Sequence, residues 1–310
     1  MSDLILHQYP ASPFAEKIRA LLGYKNAKYA SVEIPVIMPK PLLMPLTGGY
    51  RKTPVMQQGA DVFCDSAIIC RMIDRLYPER TIYPEAIDAA NNALANWTDT
   101  FFFRVAVAMG FQPRAMANNP LFSDPDAAAA FMADRAELSK GGAQIRMEFE
   151  LAQPYFLAHM KHLDQQLSTN QFLFGDEPCV ADFSTYHCCW FVYNNQIIRD
   201  TFDPFPNVVS WIGRMQAFGH GDVTEISGEA ALDIAAESEP RGDEVLGTMH
   251  PGELKIGDSV EIIPTDYGLI PVQGTLQIAS IEELALTRTD SRVGNISVHF
   301  PRLGFELRAS

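Results

Sequence analysis

The first stretch whose residue types and spacing point to chemistry is Ser12-Pro13-Phe14-Ala15-Glu16-Lys17-Ile18-Arg19. Ser12 suits an N-cap and Pro13 the first position of a helix. The glutamate is misplaced for a reciprocal cap, because Ala15 stands three residues after Ser12. The same geometry also sets a hydroxyl among the free N–H groups of a helix N-terminus, where the dipole favours an anion such as a thiolate. Capping and anion binding are compatible, so this segment alone does not decide between them.

Residues 51–66 weigh on the choice. Arg51-Lys52-Thr53-Pro54-Val55-Met56 sets a proline at the opening of a buried strand, which removes a ladder donor, invites a cis bond and leaves the Thr53 N–H and C=O for an extended peptide. Asp65-Ser66 then begins a second helix, where a hydroxyl and backbone donors suit a carboxylate and Asp65 suits an ammonium. Each piece alone is ordinary, an edge proline or an N-cap. In this order they outline one peptide-sized cleft with a place for a thiol, a backbone and a charged end.

The elements that must hold this cleft follow from periodicity. Residues 3–9 read as a strand, and Ile18, Leu21 and Leu22 recur at helical spacing after the prolines. A second strand is expected over residues 28–34, then two more over 53–57 and 61–64 joined by Gln58-Gly59-Ala60, then a helix over 66–76. This is a small α/β unit with a mixed sheet, residues 1–82. After Tyr83-Pro84-Glu85 the strand signals vanish, and residues 85–220 read as an all-helical domain. Residues 221–247 carry 8 acids and 1 base and read as an acidic linker. Residues 248–310 hold five short strand candidates, expected to form a small β-barrel-like domain on a loose tether. On this expectation a chain ending near residue 221 stays folded and keeps its ligand.

These residues resemble the glutathione transferase superfamily over about residues 3–219. The resemblance implies an α/β thioredoxin-like domain plus an all-α helical domain, here followed by a small all-β domain. It implies glutathione as co-substrate, with Ser12 at the thiol, as in the serine-using classes, and Phe14 beside it. Thr53 and the cis-proline Pro54 would pair with the cysteinyl backbone, and Asp65-Ser66, an acid-serine pair usually Glu-Ser in the family, would hold the γ-glutamyl end. Arg51, Lys52 or Lys40 would meet the glycine carboxylate. In the helical part, Phe172-Leu173-Phe174-Gly175, Pro178-Cys179-Val180-Ala181-Asp182 and Phe205-Pro206-Asn207-Val208 with Trp211 look like the family's capping and closing segments. Cys179 stands where the cap is normally Ser or Thr, an expected loss on the order of 1 kcal/mol. The implied activity is transfer of the glutathione thiolate to a small hydrophobic electrophile. Candidate walls for that partner are Trp97, Phe101, Phe102, Phe103, Met109, Phe111 and Met116. A homodimer is implied as well. The rival is a non-catalytic glutathione-binding or scaffold protein whose C-terminal β domain binds a partner.

Composition removes other classes. The formal net charge is −14, which argues against nucleic acid and anionic membrane surfaces as partners. Five cysteines without regular spacing, in apolar surroundings, read as reduced core thiols, and with no secretory signal the expected location is cytoplasmic. His159 and His162 lie one helical turn apart with no third ligand in register, so no metal is expected and the pair reads as a solvent-facing surface. His187-Cys188-Cys189 reads as core packing, and His299-Phe300-Pro301-Arg302-Leu303-Gly304-Phe305 as strand, turn, strand.

Overall fold

The computed structural model describes residues 4–117, 123–145, 147–241 and 254–310. The chain opens with β1 (Leu4–Gln8), α1 (Pro13–Tyr24), β2 (Lys28–Glu33) and α2 (Met44–Thr47), followed by β3 (Val55–Gln58), β4 (Asp61–Cys64) and α3 (Ser66–Leu76). β1 pairs in parallel with β2 and antiparallel with β3, and β3 pairs antiparallel with β4, which is the mixed sheet of a thioredoxin-like unit. Alternate residues of these strands serve opposite faces. Leu4, Leu6, Met56 and Phe63 join one apolar core, and Ile5, Val55, Val62 and Cys64 join another. With both faces covered, the strands carry no polar alternation.

The helical region comprises α4 (Asp88–Trp97), a π-helical turn (Thr98–Phe102), α5 (Phe103–Gly110), α6 (Pro113–Met116), α7 (Pro125–Leu138), α8 (Phe149–Gln166), α9 (Val180–Tyr193) and α10 (Pro206–Gln216). α9 is buried from Val180 to Cys189 without interruption, so it is the axis of this core rather than an amphipathic surface helix. Its first turn keeps the carboxylate half of the expected cap. Asp182 accepts hydrogen bonds from the Cys179 N–H at 3.0 Å, the Leu173 N–H at 2.9 Å and Trp211 Nε1 at 3.0 Å, which ties three segments to one buried side chain. All five cysteines are buried and free, and burial pushes the thiols of Cys64, Cys70, Cys179, Cys188 and Cys189 up, so none is poised as a nucleophile. His159 departs from the expected solvent-facing surface. It is half-buried, with its ring 4.5 Å from Phe102 and 4.9 Å from Trp97, while His162 is exposed. Among the described residues no group of three His, Cys, Asp or Glu side chains could hold a metal, and no helix is long and apolar enough to cross a membrane.

The C-terminal third differs most from expectation. Within the predicted acidic linker lie β5 (Asp222–Glu225), paired in parallel with β2, and α11 (Gly228–Ala236), whose Ala231, Leu232 and Ala235 sit in the second core beside Ile5 and Val62. The rest of that predicted linker, 242–247, and the start of the predicted β domain, 248–253, lie outside the described residues. All five expected strands are present as β6 (Ser259–Pro264), β7 (Val272–Ala279), β8 (Glu283–Asp290), β9 (Gly294–Pro301) and β10 (Phe305–Ala309). They do not close on themselves. β9 pairs in parallel with β4, and one sheet runs β10-β6-β7-β8-β9-β4-β3-β1-β2-β5. The physical reason is the apolar outer face and open edges of β2 and β4, which a separate module would leave in water.

A buried histidine fastens the β4–β9 seam. His299 Nδ1 lies 2.7 Å from Glu283 and Nε2 3.3 Å from Asp61, with the ring stacked 4.4 Å from Phe63. Burial alone would push the imidazole pKa down, but its bonds to Asp61 and Glu283 outweigh this and hold it above 6.5. A histidine raised in the folded state stabilises fully below its unfolded pKa, and that contribution is lost as pH rises through the folded value. His7 and His159, pushed down by burial to about 4, act oppositely below pH 6.5, so the His299 contribution is read above neutrality. We expect the melting temperature to fall between about pH 7 and 8, below the range where Lys40, pulled down to about 8 by burial, stabilises as pH rises; a tenfold preference for imidazolium is worth about 1.4 kcal/mol, and His299→Gln should flatten that slope. An equal slope in the variant would place the titration elsewhere.

Candidate active site

The register of the strands gathers the three sequence-predicted segments. Val55 pairs with both His7 and Cys64, so Ser12 after β1, Thr53 before β3 and Asp65 after β4 leave the sheet at one end. Two helix N-termini, those of α1 and α3, open onto the same place and bring their free N–H groups with them.

Ser12 is 2% exposed and caps α1, its Oγ accepting from the Ala15 N–H at 3.2 Å. Its hydroxyl faces the phenol of Tyr9, whose pKa is raised by burial against the pull of Arg135 and Ser12, so that phenol stays a proton donor. The Thr53–Pro54 peptide is cis, as the strand-opening proline suggested. Thr53 Oγ1 accepts from Lys40 Nζ at 3.0 Å, and the same ammonium donates to the Arg51 carbonyl at 3.1 Å. Burial, with Arg135 and Arg51 nearby, pulls the Lys40 pKa down to about 8.

Asp65 holds φ at 98°, a region that non-glycine residues rarely occupy and that costs on the order of 1–3 kcal/mol. The strained turn lets its carboxylate accept from the Ala67 N–H at 2.9 Å and cap α3, while burial pushes its pKa up. Ser66 Oγ accepts from Lys17 Nζ at 3.3 Å, which leaves its own proton to donate outward.

Lys17 belongs to a network that pattern reading missed. Its ammonium, 1% exposed, lies 2.6 Å from Asp99 in the π-helical turn, and Asp99 also meets His187 Nε2 at 2.9 Å and Ser184 Oγ at 3.1 Å. Burial raises the Asp99 pKa, but Lys17 and His187 prevail and hold it below the usual value. His187 therefore does more than fill the core. A signal was present in the sequence: Glu16, Lys17 and Arg19 crowd a helix that is buried from Ala15 to Tyr24, leaving no solvent face for three charges. Phe14 lies against this network, its ring 4.5 Å from His187 and 4.6 Å from Phe103. Of the expected apolar walls, Phe102 and Met109 are core, Trp97 and Phe101 stack on each other at 5.7 Å, and Phe103 is the one beside Phe14.

The cations ahead of Thr53 are engaged by other parts of the chain. Arg51 pairs with Asp134 of α7, which also accepts from the Met38 N–H at 3.0 Å. Lys52 Nζ lies 2.6 Å from Asp266 and 4.0 Å from the centre of the Tyr267 ring, in the loop between β6 and β7. Neither partner was foreseen, because each lies more than 80 positions away in sequence.

Comparison with known proteins gives the family of the chain. Residues 6–81 match the family model of the glutathione S-transferase N-terminal domain, and residues 139–218 that of the C-terminal domain. The chain is 38% identical to a GST-like protein from Pseudomonas syringae of solved structure, with a TM-score of 0.84 and full coverage of both chains. It shares 26% identity over 83 residues with glutathione S-transferase U4 of Arabidopsis thaliana, a stretch spanning 37% of that protein's length. The theta class glutathione S-transferase from Xanthomonas axonopodis pv. citri, solved with glutathione bound, has the same fold at 18% identity, with a TM-score of 0.52 over 72% of this chain and 100% of that one. The cis-proline between two helix N-termini, the helical region built around Asp182 and these likenesses all lead to one statement: the chain belongs to the glutathione transferase superfamily.

Proposed function

We propose that the chain is a glutathione transferase that adds the glutathione thiolate to a small apolar electrophile in the cytoplasm. What carries the proposal is the convergence of Ser12, cis Thr53–Pro54 and Asp65–Ser66 at one end of the sheet beneath two helix N-termini. Glutathione lies extended along Thr53, with its γ-glutamyl carboxylate on the Ser66 hydroxyl and its ammonium on Asp65. Its sulfur sits at Ser12. A thiol has a pKa near 8.5, and a charge-assisted hydrogen bond of about 1.5–3 kcal/mol lowers it by about 1–2 pH units, enough to make thiolate abundant at neutrality. Phe14 and Phe103 offer the apolar wall for the electrophile. Chemistry of this kind needs no metal.

The test is retention on immobilised glutathione together with turnover of a chloronitroaromatic electrophile. Retention without turnover on several electrophiles would favour a non-catalytic glutathione-binding protein, and loss of retention would end the reading altogether.

A second copy of the chain is the expected partner. Trp97 is 37% exposed, Leu151 49% and Tyr155 44%, and with Phe101 between Trp97 and Tyr155 they make an apolar face on α4 and α8. Light scattering should give about twice 34.4 kDa at micromolar concentration, and the monomer mass would refute the dimer.

A further inference from the structure

The loop between β6 and β7, residues 265–271, leaves the C-terminal strands and reaches the glutathione cleft. It is held there by backbone bonds, Ala143 N–H to the Asp266 carbonyl at 2.6 Å and Gly268 N–H to the Leu138 carbonyl at 2.7 Å. A Cβ at Gly142 would lie 2.4 Å from the Asp266 carbonyl oxygen, so the fit requires glycine. From this seat the Asp266 carboxylate meets Lys52 at 2.6 Å, and the Tyr267 ring covers the same ammonium at 4.0 Å. Burial and the neighbouring Asp266, Asp65 and Tyr9 push the Tyr267 phenol pKa up, against the pull of Arg135. The Lys52 side chain is left 11% exposed.

We propose that Asp266 determines selectivity at the carboxyl end of the thiol ligand. Resting on the reading of this cleft as a glutathione site, it means that the cleft takes γ-glutamyl peptides with a neutral carboxyl end, such as esters or amides, about as well as glutathione itself. The argument is one of charge. Of the cations near the glycine end, Arg51 and Arg135 already share Asp134 and Lys52 already has Asp266, while Lys40 is directed to Thr53 and the Arg51 carbonyl. A free glycine carboxylate reaching Lys52 would be the second carboxylate on one ammonium, and like charges at such a distance disfavour each other. A neutral end has no such conflict.

The experiment is calorimetric titration of the full-length chain and of Asp266→Asn with glutathione and with its glycine monoethyl ester. In the native chain the two dissociation constants should agree within about threefold, and in the variant glutathione should gain about tenfold over the ester as Lys52 becomes free for a charge-assisted bond. A native preference for the free acid of about tenfold, or a ratio unmoved by Asp266→Asn, overturns the proposal. The comparison in the native chain does so without depending on the variant's folding. Binding of neither ligand to either protein is a different failure, which refutes the glutathione reading and this selectivity with it.

Discussion

A chain ended near residue 221 is expected not to fold. The cut removes β5 from the edge of β2 and β9 from the edge of β4, which leaves two unpaired strand edges. It also strips α11 and the C-terminal strands from the second core, where Ile5, Val32, Val55 and Val62 pack with Leu232, Val298 and Phe300. Burying such side chains is worth about 1.5–3 kcal/mol each, so re-exposing these residues withdraws about 6–12 kcal/mol from a total stability of about 5–15 kcal/mol. Polar losses add to this. Gln57 loses the Ala231 carbonyl at 2.9 Å, and Asp61 loses His299 at 3.3 Å. The measurement is soluble yield and circular-dichroism melting against the full chain. A cooperative melt within a few degrees of the full-length protein would restore the picture of an independent module. Phe300→Ala gives a graded version, with an expected destabilisation of about 3–5 kcal/mol for a fully buried ring.

What local pattern could and could not reveal is visible in these same residues. Short apolar runs bounded by Gly, Pro, Asp and Arg located all five C-terminal strands, because a strand's type is written in its own neighbours. Which strand they join is not, since the pairing of Val62 with Val298 spans the length of the chain and depends on two apolar edges finding each other. The charge of residues 221–247 suggested a tether for a similar reason. Among the described residues, Asp222, Glu225, Glu229, Asp233, Glu237 and Glu239 are exposed while Ala231, Leu232 and Ala235 face the core, and an average over the segment hides that division. At the site, Ser12, Thr53–Pro54 and Asp65–Ser66 stand out because a helix start or a strand-opening proline restricts the backbone wherever it occurs. Lys17, Asp99, His187 and Asp266 carry no such restriction. Their significance comes from burial and from partners that only the fold supplies.

Ser12→Ala is expected to raise the pKa of the bound glutathione thiol by about 1–2 pH units and to slow turnover at pH 6.5 by about 10–100-fold, while the glutathione dissociation constant changes by less than about threefold. The separation follows from what each residue reaches. In the proposed pose Ser12 touches the sulfur alone, and Thr53, Asp65 and Ser66 hold the rest of the peptide. Loss of the cap is a second effect of the same substitution, because Oγ also accepts the Ala15 N–H, and it should cost about 0.5–2 kcal/mol of stability. The two effects have different readouts. Titrating thiolate absorbance of the complex against pH reports the sulfur, and a thermal melt of the unliganded chain reports the cap. A lowered melting temperature with an unmoved thiolate midpoint would leave Ser12 as a helix cap only. The thiolate would then need another donor, and the one in place is the Tyr9 phenol, kept protonated by burial and facing Ser12. Tyr9→Phe tests that directly: it should leave the midpoint within about 0.5 pH units if Ser12 holds the thiolate, and raise it by about 1–2 if the phenol does.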